Sequence, residues 1–206
     1  MTRRVTNSLD ADPDWAAIEG FLRSHGAADE PHPGGTLLEH LQRVRRRLAD
    51  WGAAPEVQKA GLCHATYGTD GFPKSQLPHD RRGALSALIG ERAEAIVFLY
   101  GVCERRATYP RFGSDRPPGP GGPAGQDAPI SIRDRFTGEE HAPETAQLRA
   151  FAEITAANEL DIVAHNPEAA KRHGAGLARL LDRMSPLLSP AAVQAYTAEL
   201  AAFRSR

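Results

Sequence analysis

The stretch GGTLLEHLQRV, residues 34–44, places a histidine within an apolar helical pattern. Leu37, Leu41 and Val44 recur at steps of three and four residues, as the buried face of an amphipathic helix does. His40 lies on that same face. A buried polar ring without a partner costs about 1–3 kcal/mol. The sequence therefore predicts a helix packed against the core and a second residue that meets His40 inside the protein.

The next helix is expected to carry a second inward histidine. Thr36 and Glu39 have the spacing of a capping box, which predicts where the His40 helix begins, and Pro55 is typical of the first turn of the following helix. His64 lies on the apolar face of that second helix. Two antiparallel neighbours bring their inner faces together, so we expect the two imidazoles to meet over one site. Imidazole is the commonest protein ligand for metals, and one divalent ion would explain both burials.

The remaining sequence predicts an all-α single domain over residues 1–206, folded as a helical bundle. Helical periodicity covers residues 81–106 with a break near Gly90, and further helices follow Pro143, Pro167 and Pro190. The segment 108–129 is dense in proline and glycine, which predicts a flexible surface loop. ISIRDRFTGEEH, residues 130–141, alternates apolar and polar residues and predicts a short β-hairpin.

Composition limits the classes of function. Lys and Arg together number 25 against 26 Asp and Glu, which gives a formal net charge of -1 and argues against nucleic acid or a membrane surface as partner. Cys63 and Cys103 are too few for a disulfide scaffold and fit a reducing, cytoplasmic location. No apolar run approaches the roughly 18 residues that a membrane span needs. A small molecule is the expected partner.

The two histidines and a late helix together resemble a known superfamily. His40, then AGLCHATYGTDGF with His64, and then TAANELD at residues 155–161 resemble the HD-domain superfamily of metal-dependent phosphohydrolases and its iron-oxygenase branch. The resemblance has its core in residues 35–165. It implies an HD-like fold in which His40 is the first metal ligand and His64 is the histidine of the His-Asp pair. The aspartate of that pair is Ala65 here, and Asn158 stands where the late aspartate is expected.

HATYGTDGF and RDRFTGEE are similar to an atypical HD-like branch that has H…YGT in place of the His-Asp pair. Losing the shared carboxylates favours one ion over two, because paired ions need bridging oxygens. Asn158, Asp161 and His165 fall on one helical face and could supply the missing ligand. Asp161 is the best charged substitute, although a solvated helix residue is the alternative. The expected metal set is therefore His40, His64, Asn158 and Asp161, with iron or manganese among the candidate ions.

Residues on irregular backbone near the site supply candidate catalytic groups. Tyr67 could orient a substrate or donate a proton, and Asp70 could act as a base, although both also suit ordinary turn chemistry. His79 lies further along the same loop. His32, in EPHPGG, could reach the pocket from its rim or lie on the surface.

The expected function is that of an atypical HD-like enzyme that hydrolyses a small anionic molecule with the help of a metal ion. Arg133 and Arg135 could clamp the anion, with solvated charges as the favoured alternative. Oxidation by iron and O₂ is a second hypothesis, and a metal-free protein that binds a ligand or does acid-base chemistry is a third. The last helix could pack against a second copy of the chain, giving a homodimer.

Overall fold

Helices account for most of the structure, a computed structural model that describes residues 13–113 and 130–204. They are α1 (Pro13–Ser24), α2 (Leu37–Asp50), α3 (Pro55–Cys63), α4 (Arg82–Ile89), α5 (Glu91–Val102), α6 (Arg105–Thr108), α7 (Thr145–His165), α8 (Pro167–Met184), α9 (Pro190–Glu199) and α10 (Ala201–Arg204). Single 3₁₀ turns cover His79–Arg81, Tyr109–Arg111 and Ser185–Leu187. The predicted all-α class is confirmed.

Two small antiparallel strand pairs accompany the helices. Strands β3 (Ile132–Arg133) and β4 (Glu140–His141) form the predicted hairpin, with Ile132 opposite His141. Strands β1 (Pro31–His32) and β2 (Gly35–Thr36) form a second pair just before α2, which the turn-rich sequence there did not predict. Most of the predicted 108–129 loop, residues 114–129, lies outside the described residues.

Helix α2 begins as the capping-box pattern predicts. The Glu39 backbone N–H donates to Thr36 Oγ1 at 3.3 Å, and the Thr36 N–H donates to the Glu39 carboxylate at 2.7 Å. Such a cap stabilises a helix by about 1 kcal/mol. The predicted apolar face of the helix is buried, and His40 is buried with it at 1% exposure. The cap therefore fixes the start of the helix that carries His40.

Helix α7 forms the centre of the bundle and contacts α2, α3, α5, α8 and α9. Almost every residue from Leu148 to Asp161 is buried, which explains why its sequence lacks a polar face. A helix that is apolar on all sides belongs inside a protein. Asn158 and Asp161 are thus polar residues on the central helix, where unpaired groups would be costly.

Helices α2 and α3 pack closely because Gly61 has no side chain at their contact. A Cβ at that position would collide with the Leu48 side chain. The close approach brings His64, the residue that ends α3, within reach of the His40 face. The predicted break between α4 and α5 is confirmed at Gly90, which has a φ of 91°. None of the helices in the described ranges is long and apolar enough to cross a membrane.

Candidate metal centre

His40 and His64 converge as the sequence predicts. Their ring centroids are 5.4 Å apart and the rings are nearly perpendicular, at 76°. Both Nε2 atoms approach one oxygen on the central helix, Asn158 Oδ1, at 3.0 Å from His40 and 3.1 Å from His64. All three side chains are buried. Three candidate metal-ligand atoms therefore lie close together, one each from α2, α7 and the end of α3.

The partners of the other ring nitrogens fix both imidazole tautomers. His40 Nδ1 is 2.6 Å from a carboxylate oxygen of Asp161, and His64 Nδ1 is 2.7 Å from the Gly61 carbonyl oxygen. Since both partners are acceptors, each Nδ1 carries a proton. Burial, and then the nearby charge of His40, lower the pKa of His64 to about 3, so that ring is neutral at pH 7. The Nε2 atom of a neutral ring protonated at Nδ1 presents a lone pair.

The orientation of the Asn158 amide follows from its neighbour on α7. Asn158 Nδ2 donates to Glu159 Oε1 at 3.0 Å, which leaves Oδ1 on the side of the histidines. The opposite orientation would place an amide oxygen against a carboxylate. Two acceptor atoms, His64 Nε2 and Asn158 Oδ1, consequently lie 3.1 Å apart with no proton to share. A cation between them would satisfy both atoms.

This donor set suits one divalent ion. Ligands held about 2.1 Å from an ion at right angles stand about 3.0 Å from each other, which matches the spacings to Asn158 Oδ1. Imidazole nitrogen with carboxamide oxygen is an acceptable set for several divalent metals. Across residues 13–113 and 130–204, no three His, Cys, Asp or Glu side chains form a group that could hold a metal. The set described here differs because its third ligand atom is the amide oxygen of Asn158.

Asp161 lies behind His40 rather than beside Asn158. Its two oxygens accept from Arg43, Oδ1 from Nε at 2.8 Å and Oδ2 from Nη2 at 2.9 Å. Burial alone would raise the pKa of Asp161, but hydrogen bonds from His40 and then Arg43 outweigh burial and lower it to about 2. A carboxylate in this place orients a ligating histidine and raises its basicity. His165 donates from Nδ1 to the Asp161 backbone oxygen at 2.9 Å, away from the two imidazoles.

Arg43 also fastens the β1–β2 hairpin to the site. Its Nη2 donates to the Pro33 carbonyl at 2.9 Å and its Nη1 to the Gly34 carbonyl at 3.2 Å. The hairpin carries His32, whose ring centroid lies 4.3 Å from that of His40. Burial, and then the charge of His40, lower the pKa of His32 to about 4. Its Nε2 is buried without a hydrogen-bond partner among the described residues, so His32 faces the site as a neutral ring.

A cavity of about 330 Å³ opens onto these groups, at the small end of the range for ligand pockets. His32, His40, His64 and Asn158 line its polar end. Leu37, Phe72 and Ile162 contribute apolar wall, and Arg105 with Glu159 adds charged groups. The cavity therefore suits a small molecule with both a polar and an apolar part.

Arg105 is a charged cavity residue that the sequence did not reveal. It begins the short helix α6, and its Nη1 donates to Glu159 Oε1 at 2.8 Å. Its Nε and Nη2 make no hydrogen bond with other described residues, so they are available to a ligand. A Cβ at Gly71 would lie 3.1 Å from Nη1, which shows how closely the loop passes this guanidinium. No local pattern distinguishes Arg105 from its neighbour Arg106, because only the fold brings it to the pocket.

Several other predicted residues lie outside the cavity lining. The Tyr67 hydroxyl donates to Glu94 Oε1 at 2.8 Å, and the ring packs edge-on against His79 at 5.3 Å. Asp70 accepts from the Arg105 backbone N–H at 2.9 Å and so supports Arg105 from behind. The structure thus brings together His32, His40, His64, Asn158 and Asp161, and it places Tyr67 and Asp70 in neighbouring contacts.

The two arginines near the hairpin also have structural partners. Arg133 Nε donates to Glu104 Oε2 at 3.0 Å, and Arg135 Nε donates to the Gly101 carbonyl at 2.9 Å. Neither residue lines the cavity beside the histidines. Among the arginines of the described residues, Arg105 lines that cavity.

Comparisons with known proteins add one match. Residues 21–105 match a family described as a domain of unknown function, DUF6817, over less than half of the chain. The matched region includes His40, His64 and Arg105 and ends before Asn158. No curated protein and no solved structure matches the chain. These comparisons assign no chemistry to the pocket, so its function is inferred from its geometry.

Proposed function

We propose that this chain is an atypical HD-like enzyme that holds one divalent metal ion between His40, His64 and Asn158 and hydrolyses a small anionic molecule in the adjoining cavity. The observation that carries the proposal is the meeting of His64 Nε2 and Asn158 Oδ1, two acceptors 3.1 Å apart in a buried position. His40 Nε2 approaches the same oxygen at 3.0 Å. One ion would satisfy all three atoms.

The polar groups around the donor atoms suit hydrolysis. A bound divalent ion would lower the pKa of a water molecule or polarise a substrate oxygen. Asp161 holds His40 in the tautomer that presents Nε2 to the site. His32 is neutral near pH 7 and has an unpaired Nε2, so it can accept a proton from an attacking water.

Arg105 supplies the positive charge that an anionic substrate needs. Its free Nε and Nη2 can bind a phosphate or carboxylate by two parallel hydrogen bonds, while Nη1 stays anchored on Glu159. The apolar wall formed by Leu37, Phe72 and Ile162 excludes water from the rest of the ligand. The favoured substrate is thus a compact molecule with one anionic group and one apolar part.

Hydrolysis is favoured over O₂-dependent oxidation by the identity of the donors. The iron oxygenases use two histidines and one carboxylate with open positions. Here the nearest carboxylate, Asp161, faces the opposite nitrogen of His40 and is held there by Arg43. An amide in third position is neutral and leaves more net charge on the ion, which strengthens its action as a Lewis acid.

A second candidate, acid-base chemistry without metal, draws on the 2.6 Å contact between His40 and Asp161. With a proton on both ring nitrogens, His40 would donate from Nδ1 to the Asp161 carboxylate and from Nε2 to Asn158 Oδ1. One proton would satisfy only one of the two contacts, because His64 Nε2 would still face the amide oxygen. The metal ion accounts for more of the geometry.

The test combines metal content with activity. Untagged protein purified without chelator is analysed for metals, and it is melted before and after exhaustive chelation and after addition of Mn²⁺, Fe²⁺ or Co²⁺. We expect about one ion per chain in the native protein, a lower melting temperature after chelation, and phosphate release from a panel of small phosphomonoesters. His64→Gln should lose all three properties, while His173→Gln, an exposed histidine on α8, should retain them.

The outcomes separate the candidates. A protein that takes up no metal and melts at an unchanged temperature with chelator contradicts the proposal and supports acid-base chemistry without metal. An iron-containing sample that consumes O₂ with a substrate supports oxidation instead. Full activity in His64→Gln would contradict the assignment of the site itself.

A further inference from the structure

Glu159 contacts two groups of the cavity through one oxygen. Its Oε1 accepts from Asn158 Nδ2 at 3.0 Å and from Arg105 Nη1 at 2.8 Å. The side chain is only about one-fifth exposed, so these two hydrogen bonds form where water competes weakly. The carboxylate therefore acts on the Asn158 amide from the side opposite the histidines.

The Asn158 amide has two orientations that differ by a half turn. In one, Oδ1 faces the two Nε2 lone pairs, and in the other the NH₂ group does. Without other influences the second orientation would be preferred in the metal-free protein, because an N–H donor would then satisfy His40 and His64. Glu159 reverses this preference, since only the NH₂ group can donate to its carboxylate.

We infer that Glu159 is a positioning residue that locks the Asn158 amide with its oxygen toward His40 and His64, and so keeps a three-atom metal site ready for the ion. The inference rests on the proposed metal site and adds a role for a residue that does not touch the ion. In the metal-free state the hydrogen bonds of Glu159 offset the unfavourable free energy of placing His64 Nε2 against Asn158 Oδ1. Binding of the ion would then remove the repulsion between these two acceptors.

Arg105 is the second partner of the Glu159 carboxylate. The guanidinium anchors Oε1, and the Asp70 carboxylate accepts from the Arg105 backbone N–H at 2.9 Å. The group that would receive the substrate anion is therefore connected to the metal donors through a single carboxylate oxygen. This links the two ends of the cavity by hydrogen bonds between neighbouring side chains.

Three variants separate the hydrogen bond from the charge. Glu159→Gln keeps an oxygen that can accept from Asn158 and Arg105 but removes the negative charge. Glu159→Leu removes both the acceptor and the charge, and leucine is well tolerated in a helix. Arg105→Met breaks the ion pair from the other side and leaves the Asn158–Glu159 hydrogen bond in place. Cooperative thermal unfolding of each metal-free variant confirms that it folds.

The measurement is a titration of the metal-free proteins with Co²⁺, followed by absorbance and by calorimetry. We expect Glu159→Leu to bind Co²⁺ about 10 to 100 times more weakly than the wild type, the usual effect of losing an outer hydrogen-bond partner. Glu159→Gln should remain within about fivefold of the wild type, since only a distant charge is lost. Arg105→Met should bind at least as tightly as the wild type, because a positive charge has been removed.

The other outcomes each contradict one part of the inference. Wild-type affinity in Glu159→Leu, with Co²⁺ bound by the wild type, overturns the role of Glu159 and leaves the metal site standing. Equal weakening in Glu159→Leu and Glu159→Gln assigns the effect to charge and also overturns it. If Arg105→Met weakens Co²⁺ binding as much as Glu159→Leu does, the effect comes from the Arg105–Glu159 ion pair and not from the Asn158–Glu159 hydrogen bond. A wild type that binds no Co²⁺ removes the metal site and this inference together.

Discussion

His64 Nε2 and Asn158 Oδ1 lie 3.1 Å apart in the core, and neither atom has a hydrogen to give the other. His64 donates its only ring proton to Gly61, and Asn158 directs its NH₂ group to Glu159. Buried polar atoms almost always find partners, so a facing pair of acceptors is a notable exception. The proposed cation, held between the two atoms, would satisfy both.

Substitutions of Asn158 should change metal affinity in opposite directions. Asn158→Asp adds a negative charge to the donor set but loses the N–H that donates to Glu159. Combined with Glu159→Gln, whose amide can donate to the new carboxylate, we expect it to bind Co²⁺ or Mn²⁺ at least about ten times more tightly than the wild type. Asn158→Leu should bind neither ion. Because leucine also removes the conflict with His64, the free energy of unfolding of the metal-free protein should change by less than about 1 kcal/mol. Metal titration and urea unfolding measure the two effects, and weaker binding by the Asn158→Asp, Glu159→Gln double variant than by the wild type would contradict this prediction.

The metal-free protein should lose stability as the pH falls below 6.5. The folded-state pKa of His64 is lowered from 6.5 to about 3, mainly by burial. Above pH 6.5 the ring is neutral in both states and contributes no pH dependence. Below it, the unfolded chain takes up a proton that the folded chain does not, so stability falls by up to about 1.4 kcal/mol per pH unit until about pH 3.

Urea unfolding from pH 7.5 to 4.5 checks this dependence. His64→Gln lacks the titrating ring, so its stability should fall less steeply with decreasing pH than that of the wild type. His173→Gln, which replaces an exposed histidine, serves as the matched control and should follow the wild-type curve. Parallel curves for wild type and His64→Gln would show that His64 is not buried as a neutral ring.

Arg43 should account for part of the acid sensitivity at lower pH. The folded-state pKa of Asp161 is lowered from 3.8 to about 2, so its contribution to stability is present above pH 3.8 and is lost as the pH falls toward 2. Arg43→Met leaves the buried carboxylate with His40 at 2.6 Å and the more distant His165 at 3.4 Å. We expect a loss of about 3 kcal/mol at pH 7, as when one partner of a buried ion pair is removed, and a weaker dependence on pH between 4 and 2. Equilibrium unfolding at a series of pH values measures both.

Two glycine substitutions should have opposite effects on stability. Gly68 has a φ of 70°, and a Cβ there would lie 2.8 Å from the Pro73 carbonyl oxygen. Gly68→Ala should therefore destabilise the protein by about 1–3 kcal/mol through backbone strain. A Cβ at Gly20, inside α1, would have nothing within 4 Å, so Gly20→Ala should stabilise by about 0.5–1 kcal/mol through helix propensity. Urea unfolding of both variants makes the comparison, and equal effects would contradict the strained turn.

The sequence predicted those parts of the site that depend on local pattern. The Thr36 cap determines where α2 begins, and the spacing of Leu37 and Leu41 determines which of its faces is buried. His40 lies on that face. His64 follows in the same way from the start of α3 at Pro55. Hydrogen bonds within a helix and the burial of its apolar face act over a few residues, so a short stretch of sequence contains the information.

The partners of the histidines could not be assigned in the same way. His40 meets Asp161 across 121 residues, and His64 meets Asn158 across 94. Which face of α7 each residue occupies was predictable, but which ring nitrogen it would meet depends on the packing of three helices. Arg105 lines the cavity and contacts Glu159 on α7, and no periodicity in a four-residue helix could indicate that.

Arg43 binds the β1–β2 hairpin through hydrogen bonds to two main-chain carbonyl oxygens, those of Pro33 and Gly34. Every amino acid has a main-chain carbonyl oxygen, so these hydrogen bonds constrain the path of the backbone. They do not depend on the side chains of the turn, provided that the backbone keeps this path. A new side chain at Pro33 can therefore reshape the entrance beside His32 without removing this hydrogen bond. Gly34 and Gly35 do not share this tolerance, because both have a positive φ and a Cβ there would collide with His165 or Glu39.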